Sequence, residues 1–182
     1  MTMTNIAALL EADGPHPDLA DKLMLYGQFV GSWRIDNAYL RADGTQDVER
    51  RWWHFGWTLG GRGVLDVIVP DGAAPDEYGV TLRCYDVELD VWHISWMRPS
   101  DGQFAEMTGR ATADGIVQDG AEGDEAWRWT FTDIQPDSFV WRGYSSDDGG
   151  RTWTQGQQMH ARRMTAERHA LLNRTPRIGA GT

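Results

Sequence analysis

From about residue 32 to residue 163 the chain alternates apolar and polar positions with a period of two, in short segments separated by turn-forming residues. The segments fall near 32–41, 47–58, 62–69, 78–86, 90–98, 103–112, 115–119, 126–133, 138–146 and 151–163. Each reads as a strand, and most connections are short enough to be hairpins. Sequential hairpins make an antiparallel meander, and a long meander removes its exposed edges by closing on itself. The expected fold is all-β: a single closed antiparallel meander β-barrel of about ten strands with a short N-terminal helix.

The ends depart from this pattern. Residues 1–16 read as an irregular lead-in closed by Pro15 and Pro17. Asp18 is placed to cap a short helix running to about Gln28, with Leu19, Leu23 and Tyr26 on one face. Gly27 and Gly31 end it before Trp33. Thr165 to Asn173 reads as a second short helix before Pro176. The chain is thus expected to be one barrel domain over 1–182, with a lead-in and helix over 1–29 and a basic tail over 164–182.

Turn positions fix which residues face each other across each hairpin. Around Gly60 and Gly61, Trp57 opposes Val64, Phe55 opposes Asp66 and Trp53 opposes Ile68. Across Asp86 to Asp90, Cys84 is expected to meet Trp92, Leu82 to meet Ile94 and Val80 to meet Trp96. Across Pro99 to Gly102, Trp96 meets Ala105 and Ile94 meets Met107. Around Pro136, Phe131 is paired with Phe139 and Trp129 with Trp141. Across Gly149 and Gly150, Trp141 is paired with Gln157, Gly143 with Gln155 and Phe139 with Met159. The inner face that results is aromatic and aliphatic. Arg83, His93, Arg128, Arg142, Thr154, Gln158 and His160 fall on the outer face.

Composition sharpens what that inner face is for. Hydrophobic residues make up 41% and charged residues 24% of the 182, an ordinary globular balance, but ten are tryptophan. A tryptophan buries a large area and its indole N–H needs a partner, so ten of them point to a wide aromatic core or an aromatic-lined pocket. Inward-facing polar groups are few: Asn37, Asp66, Gln155 and Gln157, with the phenol of Tyr39 if the first strand turns Trp33 inward. A large apolar lining with a few convergent polar groups describes a small-molecule site, and ten strands enclose more space than side chains readily fill.

The leading expectation is therefore binding of a small, largely apolar molecule, aromatic or polycyclic. Trp53, Trp57, Trp92, Trp96, Trp129 and Trp141 form the walls, while Asn37, Tyr39, Gln155 and Gln157 orient its polar groups. The alternative is a cofactor-independent enzyme (a cyclase, isomerase or hydrolase) in the same cavity. Asp66 then serves as general acid or base, because desolvation raises the pKa of an acid facing an apolar interior. Against this, Asp66 could simply accept hydrogen bonds from tryptophan N–H groups or pair with an arginine such as Arg62. A purely structural domain with a filled barrel is the third class.

Charge and targeting signals narrow the partners. The net charge is −10, yet residues 161–182 carry a net +4, which leaves about −14 on the rest. An acidic body repels phosphate backbones and anionic lipids, so neither nucleic acid nor membrane is an expected partner. The basic tail is suited to the acidic body of its own chain or of a second copy in a homodimer. Cys84 is the single cysteine, so no internal disulfide forms. No apolar run is long enough for a membrane span, and Met1 to Ala12 lacks a positive n-region, which points to a cytoplasmic protein.

Short motifs add a resemblance. Phe29-Val30-Gly31-Ser32-Trp33 resembles the G-x-W signature that opens the first strand of lipocalins and related calycins. There the tryptophan plugs one barrel end, and an arginine after the last strand packs on it; Arg162 and Arg163 stand where that arginine is expected. The run from His54 to Val67, together with Tyr78 to Arg83 and Trp141-Arg142-Gly143, resembles a bacterial family of lipocalin-like barrels without an assigned role. The resemblance implies the fold and no activity. The chain departs from nitrobindin-type haem barrels, whose glycine-rich first strand is missing after Trp33, and His160 is turned outward.

Ser146-Asp147-Asp148-Gly149-Gly150-Arg151-Thr152-Trp153 matches the Asp box known from sialidases, read here as a hairpin clasp. His54, His93 and His160 lack the spacing of common metal motifs. With no P-loop, dinucleotide fingerprint or G-x-S-x-G elbow, no cofactor or metal is expected.

Overall fold

Strands form where the alternation places them. The computed structural model describes residues 5–164. Its strands are β1 (Gly31–Leu40), β2 (Gln46–Thr58), β3 (Gly63–Pro70), β4 (Gly79–Asp86), β5 (Val91–Arg98), β6 (Gln103–Thr112), β7 (Gly115–Glu122), β8 (Glu125–Gln135), β9 (Ser138–Ser146) and β10 (Thr154–Arg163). Each pairs antiparallel with the next, and β10 returns to pair with β1, so the sheet is a closed ten-stranded meander. The helix expected over Thr165 to Asn173 and nearly all of the basic tail lie outside the described residues. Among the described residues no helix is long and apolar enough to cross a membrane.

The N-terminal segment is more ordered than its composition suggests. α1 (Ile6–Leu10) is capped by the Asn5 side chain, which accepts from Ala7 N at 3.1 Å. The chain then docks on the barrel end, with Ala12 N donating to Trp57 O at 3.2 Å. Asp18 does not cap the following helix. Pro17–Leu19 forms a 3₁₀ turn, and α2 (Ala20–Gly27) begins after Leu19 with no side-chain cap. α2 buries Leu23 and Tyr26 in one end of the barrel.

That end is sealed by aromatic rings. Phe29 packs between Phe131 at 5.0 Å and Phe139 at 4.8 Å, and Trp33 meets Phe139 edge-on at 4.7 Å. Trp33 donates its indole N–H to Phe29 O at 2.7 Å. The arginine anticipated after the last strand is Arg163, whose guanidinium lies 4.1 Å from the Trp33 ring centre.

The β2–β3 and β5–β6 hairpins have the registers read from their turns, with Phe55 opposite Asp66 and Ile94 opposite Met107. Two later hairpins are shifted by two residues. Phe131 faces Trp141, and Trp141 faces Met159; each hairpin also carries a one-residue bulge, between Thr132 and Gln135 and between Gln155 and Gln157. An even shift keeps each side chain on its face.

The β4–β5 hairpin is shifted by one residue, which reverses β4. Asp86 pairs with Val91, and Tyr85 rather than Cys84 faces Trp92. Thr81 and Arg83 therefore point inward, while Val80, Leu82 and Cys84 stay half-buried on the outer side. Arg83, expected on the exterior, is 0% exposed.

Candidate functional site

Opposite the sealed end the barrel holds a cavity of about 400 Å³. It opens to solvent among exposed Gln103, Ser145 and Gly156. Its walls come from inward positions two residues apart on neighbouring strands, so the pleat of the sheet brings the large side chains together. Trp96 meets Trp129 at 5.6 Å, Trp129 meets Trp141 at 5.4 Å and Trp141 meets Trp53 at 6.5 Å, all in edge-like contact. Ile68 and Met159 complete the apolar lining.

Beneath the cavity lies a buried polar chain. Asp66, 1% exposed, accepts the Trp53 indole N–H at 2.7 Å and the Arg83 guanidinium on its other oxygen. Both alternatives to catalysis foreseen for Asp66 are thus realised, with Arg83 in place of Arg62. Arg83 sits 5.0 Å from the Tyr26 ring centre and 5.7 Å from that of Phe55. Its Nε and Nη2 meet no acceptor. Burial pushes the guanidinium down to about 10, so it stays protonated at neutral pH. Burial also pushes the Tyr26 phenol up to about 12, and its oxygen accepts from Gln118 Nε2 at 2.9 Å.

The mouth carries a second polar group. Arg51, 7% exposed, donates from Nε to Glu49 at 2.6 Å and from Nη2 to the Tyr39 hydroxyl at 2.6 Å. Arg98 donates from Nη2 to Gln103 at 3.0 Å, binds Asp101 through Nε at 3.1 Å and lies over Trp96. Its pKa is raised, first by the hydrogen bond to Asp101 and to a smaller degree by Tyr39. Gln157 donates to Asn37 Oδ1 at 2.7 Å.

The structure brings Tyr39, Trp53, Asp66, Trp96, Trp129, Trp141 and Gln157 of the sequence-derived set to one cavity. The others lie elsewhere. Asn37 is fully buried behind Gln157 and is held also by Glu49 at 3.0 Å. Trp92 is at the sealed end against Tyr26. Trp57 packs on α2, where a Cβ on Gly27 would collide with its ring. The bulge in β10 takes Gln155 away, and its amide bonds Gln158 instead.

Arg51, Thr81, Arg98 and Gln103 line the cavity without having been anticipated. Arg51 lies two residues before Trp53 and Arg98 two after Trp96, so alternation puts both on the inner face.

The remaining motifs lie outside the cavity. Asp148 accepts from Arg151 N at 2.8 Å, Thr152 N at 2.9 Å and Thr152 Oγ1 at 2.7 Å, and Ser146 Oγ accepts from Gly150 N at 2.9 Å. Gly149 and Gly150 supply the positive φ of 70° and 83° that this loop requires. His160 is exposed and bonds Gln158, His93 bonds Asp86, and His54 lies 2.9 Å from Ser32 Oγ. The described residues contain no group of three or more His, Cys, Asp or Glu able to hold a metal ion.

No protein-family model and no curated protein matches the chain. Among solved structures, an S-type phycobiliprotein lyase from Guillardia theta is similar, with a TM-score of 0.50 and 12% identity. The match covers 78% of this chain and 91% of that one. At that identity the likeness concerns the fold alone.

Proposed function

We propose that the barrel binds a small, largely apolar molecule, aromatic or polycyclic in character, in the open cavity. The observation that carries this reading is the unbroken wall of four indoles around about 400 Å³ of space open to solvent. Such a volume falls within the range of ordinary ligand sites. Flat rings can stack or meet edge-on against tryptophans, worth about 1 kcal/mol per pair beyond the area buried.

The reading is tested by titrating the protein with N-phenyl-1-naphthylamine, a neutral polycyclic fluorophore, and following quenching of tryptophan emission. Trp129 is only half-buried, so Trp129→Ala should weaken the probe about tenfold while shifting the urea midpoint little. Parallel losses of binding and stability would assign Trp129 to packing and remove it from the site.

A second reading, turnover within the same cavity, rests on Asp66 lining it. The carboxylate's two oxygens are already engaged by Trp53 and Arg83, an arrangement that positions the group. Asp66→Asn should leave probe binding intact in a folded variant and abolish turnover of any substrate found. Unchanged turnover removes Asp66 from a catalytic role.

A further inference from the structure

The cavity mouth holds guanidinium donors that its apolar walls do not explain. The charged side chains lining the cavity are Arg51, Arg98 and Asp66. Asp66 is paired from behind with Arg83, Arg51 with Glu49 and Arg98 with Asp101, so what the mouth offers a ligand is the guanidinium donors these pairs leave open. Glu49 and Asp101 do not line the cavity, and they hold the two guanidiniums through both Nε and Nη2. In each arginine Nη1 donates to no described residue. The Tyr39 hydroxyl accepts from Arg51 Nη2 and therefore still has its own proton to donate.

The geometry points to an oxyanion site at the mouth: the ligand is amphipathic, with an apolar aromatic body among the tryptophans and a carboxylate-type group held by Arg51, Arg98 and Tyr39. The inference rests on the cavity binding an apolar molecule and adds the chemistry of its polar end. Arg51 is the stronger half of the clamp. It is 7% exposed, and a hydrogen bond to an ionised acceptor gains strength where water is scarce. Arg98 lies over Trp96, which fixes its position against the wall that receives the ligand body. The Tyr39 hydroxyl, held by Arg51, adds a neutral donor beside the charged ones.

The test compares two probes that share one ring system. 1-Anilinonaphthalene-8-sulfonate carries an oxyanion, and N-phenyl-1-naphthylamine does not. Wild-type protein should bind the sulfonate at least tenfold more tightly. Arg98→Gln and Arg51→Gln should each weaken the sulfonate about tenfold and leave the neutral probe within twofold, which also shows that the variants fold. Equal affinity of the two probes for wild type, or sulfonate binding indifferent to both substitutions, overturns the oxyanion site and leaves the apolar reading standing. If neither probe binds the wild type, the apolar reading falls and the oxyanion site falls with it.

Discussion

Arg83 and Asp66 are both essentially free of solvent exposure, and each depends on the other. Removing one partner of a buried pair leaves the other charge unpaired, at a cost of about 3 kcal/mol or more. Asp66→Asn and Arg83→Met should therefore each lower stability by that order. The double variant should lose clearly less than the sum, because no unpaired charge remains. Urea unfolding of all four proteins gives the coupling directly. Additive losses would mean that Trp53 and the aromatic cage, and not the ion pair, dominate the two effects. The same pair explains a residue-scale feature hidden in the sequence. β4 alternates Val80, Leu82 and Cys84 with Thr81, Arg83 and Tyr85, and hydrophobicity alone puts the first set inside. The loop decides otherwise. Asp86 accepts from Glu88 N and Leu89 N, and Asp90 adopts φ +52°, a four-residue turn that shifts the register by one. A buried arginine is legible only once its carboxylate partner is placed opposite it.

At the scale of elements, the β9–β10 hairpin depends on the loop that joins it. Asp148 is half-buried, and its carboxylate is held down to about 2 by the hydrogen bond from the Thr152 backbone, then by the Thr152 and Ser146 side chains. Its folded pKa lies below the unfolded value of 3.8, so its contribution is complete above about pH 4 and fades as pH falls toward 2. The Thr152 amide resonance should titrate with a midpoint near the lower value, and Asp148→Ala should abolish that titration. A midpoint at the ordinary carboxylate position would show that the clasp is not engaged in solution. This loop was legible because its chemistry is local. The bulges at Thr132–Gln135 and Gln155–Gln157 were not, since each depends on how far the strand must bend to follow the barrel. Beyond each bulge the register lies two residues from the expected one, which spares the inner face of β9, whereas Gln155, on the loop side of its bulge, is one residue off and leaves the expected site.

For the whole molecule, closure was the most legible property, because ten alternating segments joined by short turns have few other ways to hide their edges. Which cavity that closure leaves was less so. The two charged wall residues obey the alternation, but exposure cannot be read from charge where a mouth admits solvent. Closure itself converges on Arg163. From the end of β10 it donates to Gln28 O at 2.7 Å, to Val30 O at 2.8 Å and to Pro136 O at 2.7 Å, while covering the Trp33 ring. One side chain thus ties the last strand to the exit of α2, the start of β1 and the β8–β9 turn. Each of these bonds carries a cationic donor, and the cation–π contact adds to them, so Arg163→Ala should cost about 3 kcal/mol. Because the latch joins the two ends of the meander, the loss should appear as a lower urea midpoint with an unchanged slope, the mark of one cooperative unit. A second, earlier transition confined to β1 and β10 would mean instead that the seam opens independently of the rest. Probe binding separates the two cases, since Arg163 lies at the sealed end. A cooperative barrel keeps its cavity until the midpoint, whereas an opened seam loses Tyr39 and Gln157 from the mouth well before it.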